Sequence, residues 1–101
     1  MALEFLKRWF AGRPEPRPDL RFLLYTRAEC PLCEEAWEML VRYQKSHGFV
    51  LEVRNVDESA ELCTEFGTCV PVLAINGKVR FRGRINEVLL LRILSTGKAQ
   101  E

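Results

Sequence analysis

Apolar and polar residues follow two different periods along this chain, and the changes of period mark its elements. Phe22-Leu23-Leu24-Tyr25 is a short continuous apolar run and predicts a buried strand over about Arg21 to Thr26. From Pro31 to Ser46 the spacing becomes helical. Leu32, Ala36, Met39, Leu40 and Tyr43 form the apolar face, and Glu38 and Arg42 form a favourable i,i+4 pair on the other side. Gly48 is a reasonable stop. Phe49, Leu51 and Val53 then alternate with Glu52 and Arg54, a second strand from Phe49 to Asn55. Strand, helix, strand implies a right-handed crossover and a parallel pair. Asp57 is placed to cap a short helix from about Glu58 to Phe66, on which Leu62 and Phe66 share a face and after which Gly67 ends the turn. Val70 to Ile75 reads as the third strand, Asn76-Gly77 as a hairpin turn and Lys78 to Arg82 as the antiparallel fourth strand, broken by Gly83. A last helix, about Asn86 to Ser95, is rich in Val88, Leu89, Leu91, Ile93 and Leu94, with Asn86 in capping position.

The flanks read differently. Residues 1–12 carry Leu3, Leu6 and Phe10 at helical spacing beside Phe5 and Trp9, with Lys7 and Arg8 among the polar positions. This amphipathic helix is expected to pack on its own domain or on a twin across a dimer, in preference to a membrane surface. Residues 13–19 alternate proline with charge and form a semi-rigid linker. The domain proper is expected over residues 20–97, and residues 98–101 form a polar tail.

Composition adds limits. A chain of 101 residues with 48% hydrophobic content suggests one globular domain that builds a core without disulfide staples. The net charge of +1 calls for no nucleic-acid partner. No apolar run approaches the roughly 20 residues of a membrane span. The N-terminus, broken by Glu4, Lys7 and Arg8, does not read as a secretory signal, so a cytoplasmic, reducing compartment is expected. There, spaced cysteines point to catalysis or metal binding in preference to structure.

Cys30 and Cys33 stand in C-x-x-C spacing where the first strand gives way to the first helix. With Cys30 at the N-cap, Cys33 lies one turn on, on the same side. Pro31 then occupies the first helical position, where a missing N–H costs nothing. The free amides of the first turn point at the Cys30 sulfur and favour its thiolate, which is the nucleophile. Arg27 should help that thiolate, while Glu29, Glu34 and Glu35 should oppose it. The Cys30 pKa is therefore expected below that of a free thiol without being extreme. His47, the single histidine, sits a whole helix away and reads as a helix C-terminal cation.

The order β-α-β-α-β-β-α, with C-x-x-C after the first strand, Val70-Pro71 opening the third and Asn76-Gly77 in the hairpin, resembles the thioredoxin fold and, within it, the glutaredoxin-like proteins. The resemblance covers about Leu20 to Ser95. It implies an α/β fold with a four-stranded mixed sheet and a cis Pro71 beside Cys30. It also implies that the Val70 backbone pairs with an extended substrate by strand addition. Arg27 stands near the family lysine that meets the glutathione carboxylate, and Pro31, Leu32, Val70 and Pro71 fall on the substrate side. The departures are Leu32, where glutaredoxins proper have an aromatic residue, and Phe81-Arg82-Gly83-Arg84-Ile85-Asn86-Glu87, which lacks their Gly-Gly-x-Asp segment. Arg82 and Arg84 either bind a carboxylate in another way or are simply solvated.

The function this implies is thiol–disulfide exchange on disulfide-containing proteins or small-molecule thiols, with Cys30 attacking and Cys33 resolving. No bound cofactor is expected; glutathione is a possible co-substrate. Cys63 and Cys69 leave three readings open: buried apolar thiols, an auxiliary disulfide or third redox thiol with Cys69 the better placed, or a metal site built from all four cysteines. Cys63, on a helix, is expected to point into the core. Two other functions stay open, a thiolate module holding zinc or an iron–sulfur cluster and a redox-inactive adaptor.

Overall fold

A computed structural model of the chain describes residues 17–95. The elements are β1 (Arg21–Thr26), α1 (Pro31–His47), β2 (Val50–Asn55), a 3-10 turn (Val56–Glu58), α2 (Ala60–Phe66), β3 (Val72–Ile75), β4 (Lys78–Arg82) and α3 (Glu87–Ser95). The sheet order is β2-β1-β3-β4. β1 and β2 are parallel, and β3 runs antiparallel to both β1 and β4. This is the mixed sheet and helix order of the thioredoxin fold. The N-terminal amphipathic pattern and most of the proline-rich linker lie outside the described residues.

The period-2 alternation of β1 and β3 divides the interior in two. Phe22 and Leu24 of β1, with Leu73 and Ile75 of β3, meet Ala36 and Leu40 of α1 and Leu90 and Leu94 of α3. Phe22 also stacks on Phe49, centroids 4.1 Å apart. The other face is smaller: Val72 and Tyr25 pack with Phe66, Val56 and Leu62. The helices on the two faces are thus selected by alternate residues of the same strands.

Several boundaries and contacts differ from the sequence reading. The short helix is capped by Ser59, whose hydroxyl accepts from the Glu61 and Leu62 amides. Asp57 instead sits in the 3-10 turn, its own amide donating to Asn55 Oδ1. β3 begins at Val72, after a cis Val70–Pro71 bond. The buried stripe of α1 is Cys33, Ala36 and Leu40, and Leu32 is 36% exposed. Val53, expected inward, is 49% exposed because β2 is an edge strand. Arg42 reaches across to Glu87 at 3.8 Å, so its expected partner Glu38 is left to solvent. Elsewhere the turn chemistry is as expected. Asn76 and Gly77 both have positive φ, 51° and 83°, the pair of left-handed conformations that a two-residue hairpin needs. Asn86 Oδ1 accepts from the Leu89 amide at the start of α3.

Arg17 fastens the start of the described chain. Its amide donates to the last carbonyl of α1, His47 O, at 2.5 Å, and its guanidinium donates to Leu94 O at 2.8 Å near the end of α3. A cation there suits the carbonyl-rich ends of helices. Asp19 completes the arrangement at 3.1 Å, and the hydrogen bond from Arg17 is the main cause holding its carboxyl below the usual range. His47 Nδ1 lies 3.1 Å from Tyr43 O, at the same end of α1 and far from Cys30 along the helix. No helix among the described residues is long and apolar enough to cross a membrane.

Gly67 is a tight point. A Cβ built there would stand 2.4 Å from the Cys63 carbonyl oxygen, a backbone atom that cannot swing away. Gly67→Ala is therefore expected to destabilise the fold by about 1–3 kcal/mol, the range for an overpacked site. Denaturant unfolding checks this; a midpoint equal to that of the wild type would show that the turn relaxes freely.

Candidate active site

The site is assembled where β1 ends. The loop after Thr26 passes through Glu29, in a left-handed conformation (φ 56°), before Cys30 takes up the N-cap of α1. Pro31 follows at the first helical position, as its fixed φ favours. The Cys33 amide donates to Cys30 Sγ at 3.2 Å, so the sulfur does the work that a serine or aspartate oxygen does at other N-caps. Cys30 and Cys33 form a disulfide, with Cα atoms 5.2 Å apart. Cys30 is partly exposed, whereas Cys33 is 3% exposed. One cysteine of the pair thus lies partly open to solvent and the other is sheltered.

The Val70–Pro71 turn lies at the same end of the sheet. The β1–β3 register sets Tyr25 opposite Val72, so the turn stands beside the point where the chain leaves β1 for Cys30. β3 starts at Val72, which leaves Val70 outside the strand ladder. Gly83, ending β4 with φ 81°, donates its amide to Pro71 O at 2.7 Å and to Cys69 O at 3.0 Å. These bonds tie the segment before β3 to the end of β4.

Arg27, expected to face the thiolate and substrate, is instead engaged by protein groups at the surface. Its Nε and Nη2 donate to both oxygens of Asp57, at 3.2 and 3.0 Å, and Nη1 donates to Gly67 O at 2.8 Å. The same Nη2 lies 3.4 Å from Cys63 Sγ. Cys63 is therefore not a core thiol: it is partly exposed and also lies 3.7 Å from Asp57 Oδ1. Position explains the change. Cys63 follows Leu62 on the short helix, and the face that Leu62 and Phe66 bury turns Cys63 toward the β1 loop. This cluster links the loop before Cys30 to the connection leading into Pro71. The link of Arg27 to Asp57 and Cys63 escaped sequence reasoning because Arg27 and Asp57 are 30 positions apart, and no local pattern joins them.

The bidentate pair sets the charge states. The hydrogen bond from Arg27 is the leading cause that holds the Asp57 carboxyl below the usual range, and the same bond raises Arg27 above its own. A carboxyl with a depressed folded pKa adds stability that is present above the ordinary carboxylate range. That stability is lost as pH falls through the folded value. Asp57→Asn is accordingly expected to lower the unfolding midpoint at neutral pH, and the gap from wild type should close in acid. Denaturant midpoints measured across a pH series check this; a gap that is constant with pH would remove the ion pair from the explanation.

Cys69 is, like Cys63, a free thiol, and it has different neighbours. Its amide donates to Phe66 O at 2.9 Å, its sulfur is 3.7 Å from Arg82 Nη1, and it packs with the smaller core. Arg82 also lies over the Phe66 ring, 5.5 Å from its centroid. Arg84 pairs with Glu35 at 3.8 Å. Arg82, the last residue of β4, and Arg84 just after it thus both have protein partners. Among the described residues, no group of three or more His, Cys, Asp or Glu side chains is arranged to hold a metal.

Two hollows flank α1 at the site. Leu32, Met39, Arg84 and Ile85 help to line one of about 190 Å³. On the opposite flank Cys33 borders a larger groove of about 350 Å³, walled by Trp37 and Val53 with Thr26, Arg27, Glu34 and Glu38. Trp37 had no place in the predicted apolar face; its signal was an aromatic ring set off the buried stripe.

Comparison with known proteins bears on this geometry. Residues 21–95 match the family described as Glutaredoxin-like domain (DUF836). A protein of Methanothermobacter thermautotrophicus named "Probable Thioredoxin" is 36% identical over 63 residues, which are 59% of this chain and 74% of that one. The solution structure of a Nitrosomonas europaea protein superposes with a TM-score of 0.67 at 31% identity, over 75% of this chain and 92% of the other. The glutaredoxin of Archaeoglobus fulgidus shares the fold, with a TM-score of 0.54 at 22% identity over 87% and 94% of the two chains.

Proposed function

Since the chain belongs to the glutaredoxin-like family, we propose that it is a dithiol oxidoreductase that reduces protein or small-molecule disulfides, with Cys30 as nucleophile and Cys33 as resolving thiol. The observation that carries this is the Cys30–Cys33 disulfide at the N-terminus of α1, one cysteine partly exposed and the other sheltered. In the reduced protein the Cys33 amide and the positive end of the helix favour a thiolate at Cys30. That thiolate attacks one sulfur of the substrate disulfide. The substrate S–S bond breaks, a Cys30–substrate disulfide forms, and the other half leaves as thiolate. Cys33 then loses its proton and attacks Cys30 Sγ, which releases the second half as a thiol. Two electrons and two protons pass to the substrate, and the protein ends with the disulfide seen here.

The Val70 backbone, outside the strand ladder, supports strand addition of an extended substrate, for which Pro31, Leu32 and Pro71 are the proposed neighbours. Glutathione is a weaker candidate for the electron source. Arg27, Arg82 and Arg84, the cations nearest to a glutathione site, are each engaged by protein groups. A redox titration with mass-spectrometric mapping of the cysteine pairs tests the reading. It is expected to return one two-electron couple, Cys30 with Cys33; a couple that recruits Cys63 or Cys69 would overturn the assignment of the dithiol.

A further inference from the structure

The groove on the α1–β2 flank has a chemistry that the exchange step leaves unused. Its apolar walls are Trp37, 39% exposed, and Val53, 49% exposed. Aromatic and aliphatic surface held open beside a reactive centre is the usual material of a recognition site. Its charges are unbalanced. Arg27 is neutralised by Asp57, and on the neighbouring strand Arg54 lies 3.9 Å from Glu58. Glu34 and Glu38, four residues apart on one side of α1, have no ion pair among the described residues, since Arg42 turns to Glu87 and Arg84 to Glu35. The groove therefore presents an apolar channel edged by two carboxylates without an ion pair among the described residues.

We infer that this groove receives a lysine or arginine side chain of the substrate, so that the preferred substrate is a protein or peptide disulfide with a basic residue one or two positions from its reactive cysteine. The inference rests on the exchange reading and adds the substrate class. Lys and Arg match both features at once: the aliphatic stem lies on apolar surface while the charged head stays at the rim. A cation against the Trp37 ring gains further attraction. Reach is adequate. Cys33 borders the groove and is bonded to Cys30, so a substrate sulfur on Cys30 starts beside it, and each residue of extended chain adds about 3.3–3.6 Å. The same carboxylates repel an anionic neighbour.

The test uses full-length reduced protein in single-turnover reaction with two fluorogenic peptide disulfides. The peptides are identical except for Lys or Glu two residues from the cysteine. Wild type is expected to reduce the Lys peptide about tenfold faster, the combined scale of an exposed ion pair, a cation–π contact and the repulsion of glutamate. The preference should shrink as ionic strength rises. The ratio of the two rates is the readout, so a general change in Cys30 reactivity cancels. Glu34→Gln with Glu38→Gln should bring the ratio down to about three, the share left to the Trp37 ring, Glu38→Lys should lower it further, and Trp37→Ala should cut the wild-type ratio about threefold. A wild-type ratio near one, or a ratio that stays near ten after loss of both carboxylates, overturns the inference. Hydroxyethyl disulfide separates the two levels of failure. If it is reduced while the ratio is one, only the groove assignment falls; if neither it nor the peptides react, the exchange reading falls and takes this inference with it.

Discussion

Cys33→Ser, reduced and offered a disulfide substrate, is expected to stop halfway and accumulate a covalent adduct at Cys30. The first displacement needs only the exposed sulfur, and that residue keeps its N-cap place and the amide at position 33 that faces it. The second displacement needs the sheltered sulfur, and a serine hydroxyl cannot supply it. Cys30→Ser is expected to fail earlier, with exchange reduced on the order of a thousandfold or more, because the attacking species is a thiolate and an alcohol does not ionise near neutral pH. Non-reducing mass spectrometry reads the adduct, and reduction of a dithiol-dependent substrate reads the rate. Normal turnover by Cys33→Ser would reverse or dissolve the assignment of roles. A companion expectation concerns acidity: titration of thiolate absorbance in the reduced protein should place Cys30 below an ordinary cysteine. The helix amides act in that direction.

What could be read in advance follows from how far each cause reaches along the chain. The strand at Arg21–Thr26, the hairpin at Asn76-Gly77 and the Cys30 N-cap depend on neighbours within a few residues, and all three are present. The face of α1 was read less accurately. A hydrophobicity pattern rates Leu32 above Cys33, yet the helix starts at Pro31 with Cys33, Ala36 and Leu40 inward, and Leu32 is carried to the surface. Val53 obeyed its alternation but met no cover, because burial on an edge strand is decided by what lies beside the sheet. The engagement of Arg27 by Asp57 and Cys63 is the extreme case. It joins a loop, a 3-10 turn and a helix, and it exists only after β1 and β2 have paired in parallel. Arg42 gives the same lesson on a smaller scale: a local partner at i−4 was available, and a tertiary partner, Glu87, took it.

Phe22→Ala is expected to have the largest effect on stability of any single substitution in the described chain, about 3–5 kcal/mol, the range for truncating a buried phenylalanine. Phe22 is 1% exposed and stacks on Phe49 at 4.1 Å, and it belongs to the larger core that joins β1 to α1 and α3. Removing the ring leaves a cavity between elements whose strands cannot close in without breaking the Phe22–Leu51 and Phe22–Ile75 register. Against a typical total of about 5–15 kcal/mol for a domain, such a loss leaves a substantial unfolded population. The effect on chemistry should be indirect. Phe22 lies at the opposite end of β1 from the loop that leads to Cys30, so the folded fraction should still react at the wild-type rate. Urea unfolding measures the first quantity. Exchange rate per folded molecule, measured at low temperature with the folded fraction taken from circular dichroism, measures the second. A large fall in rate per folded molecule would mean that the larger core also sets the position of Cys30, through α1, whose Ala36 and Leu40 pack in the same cluster.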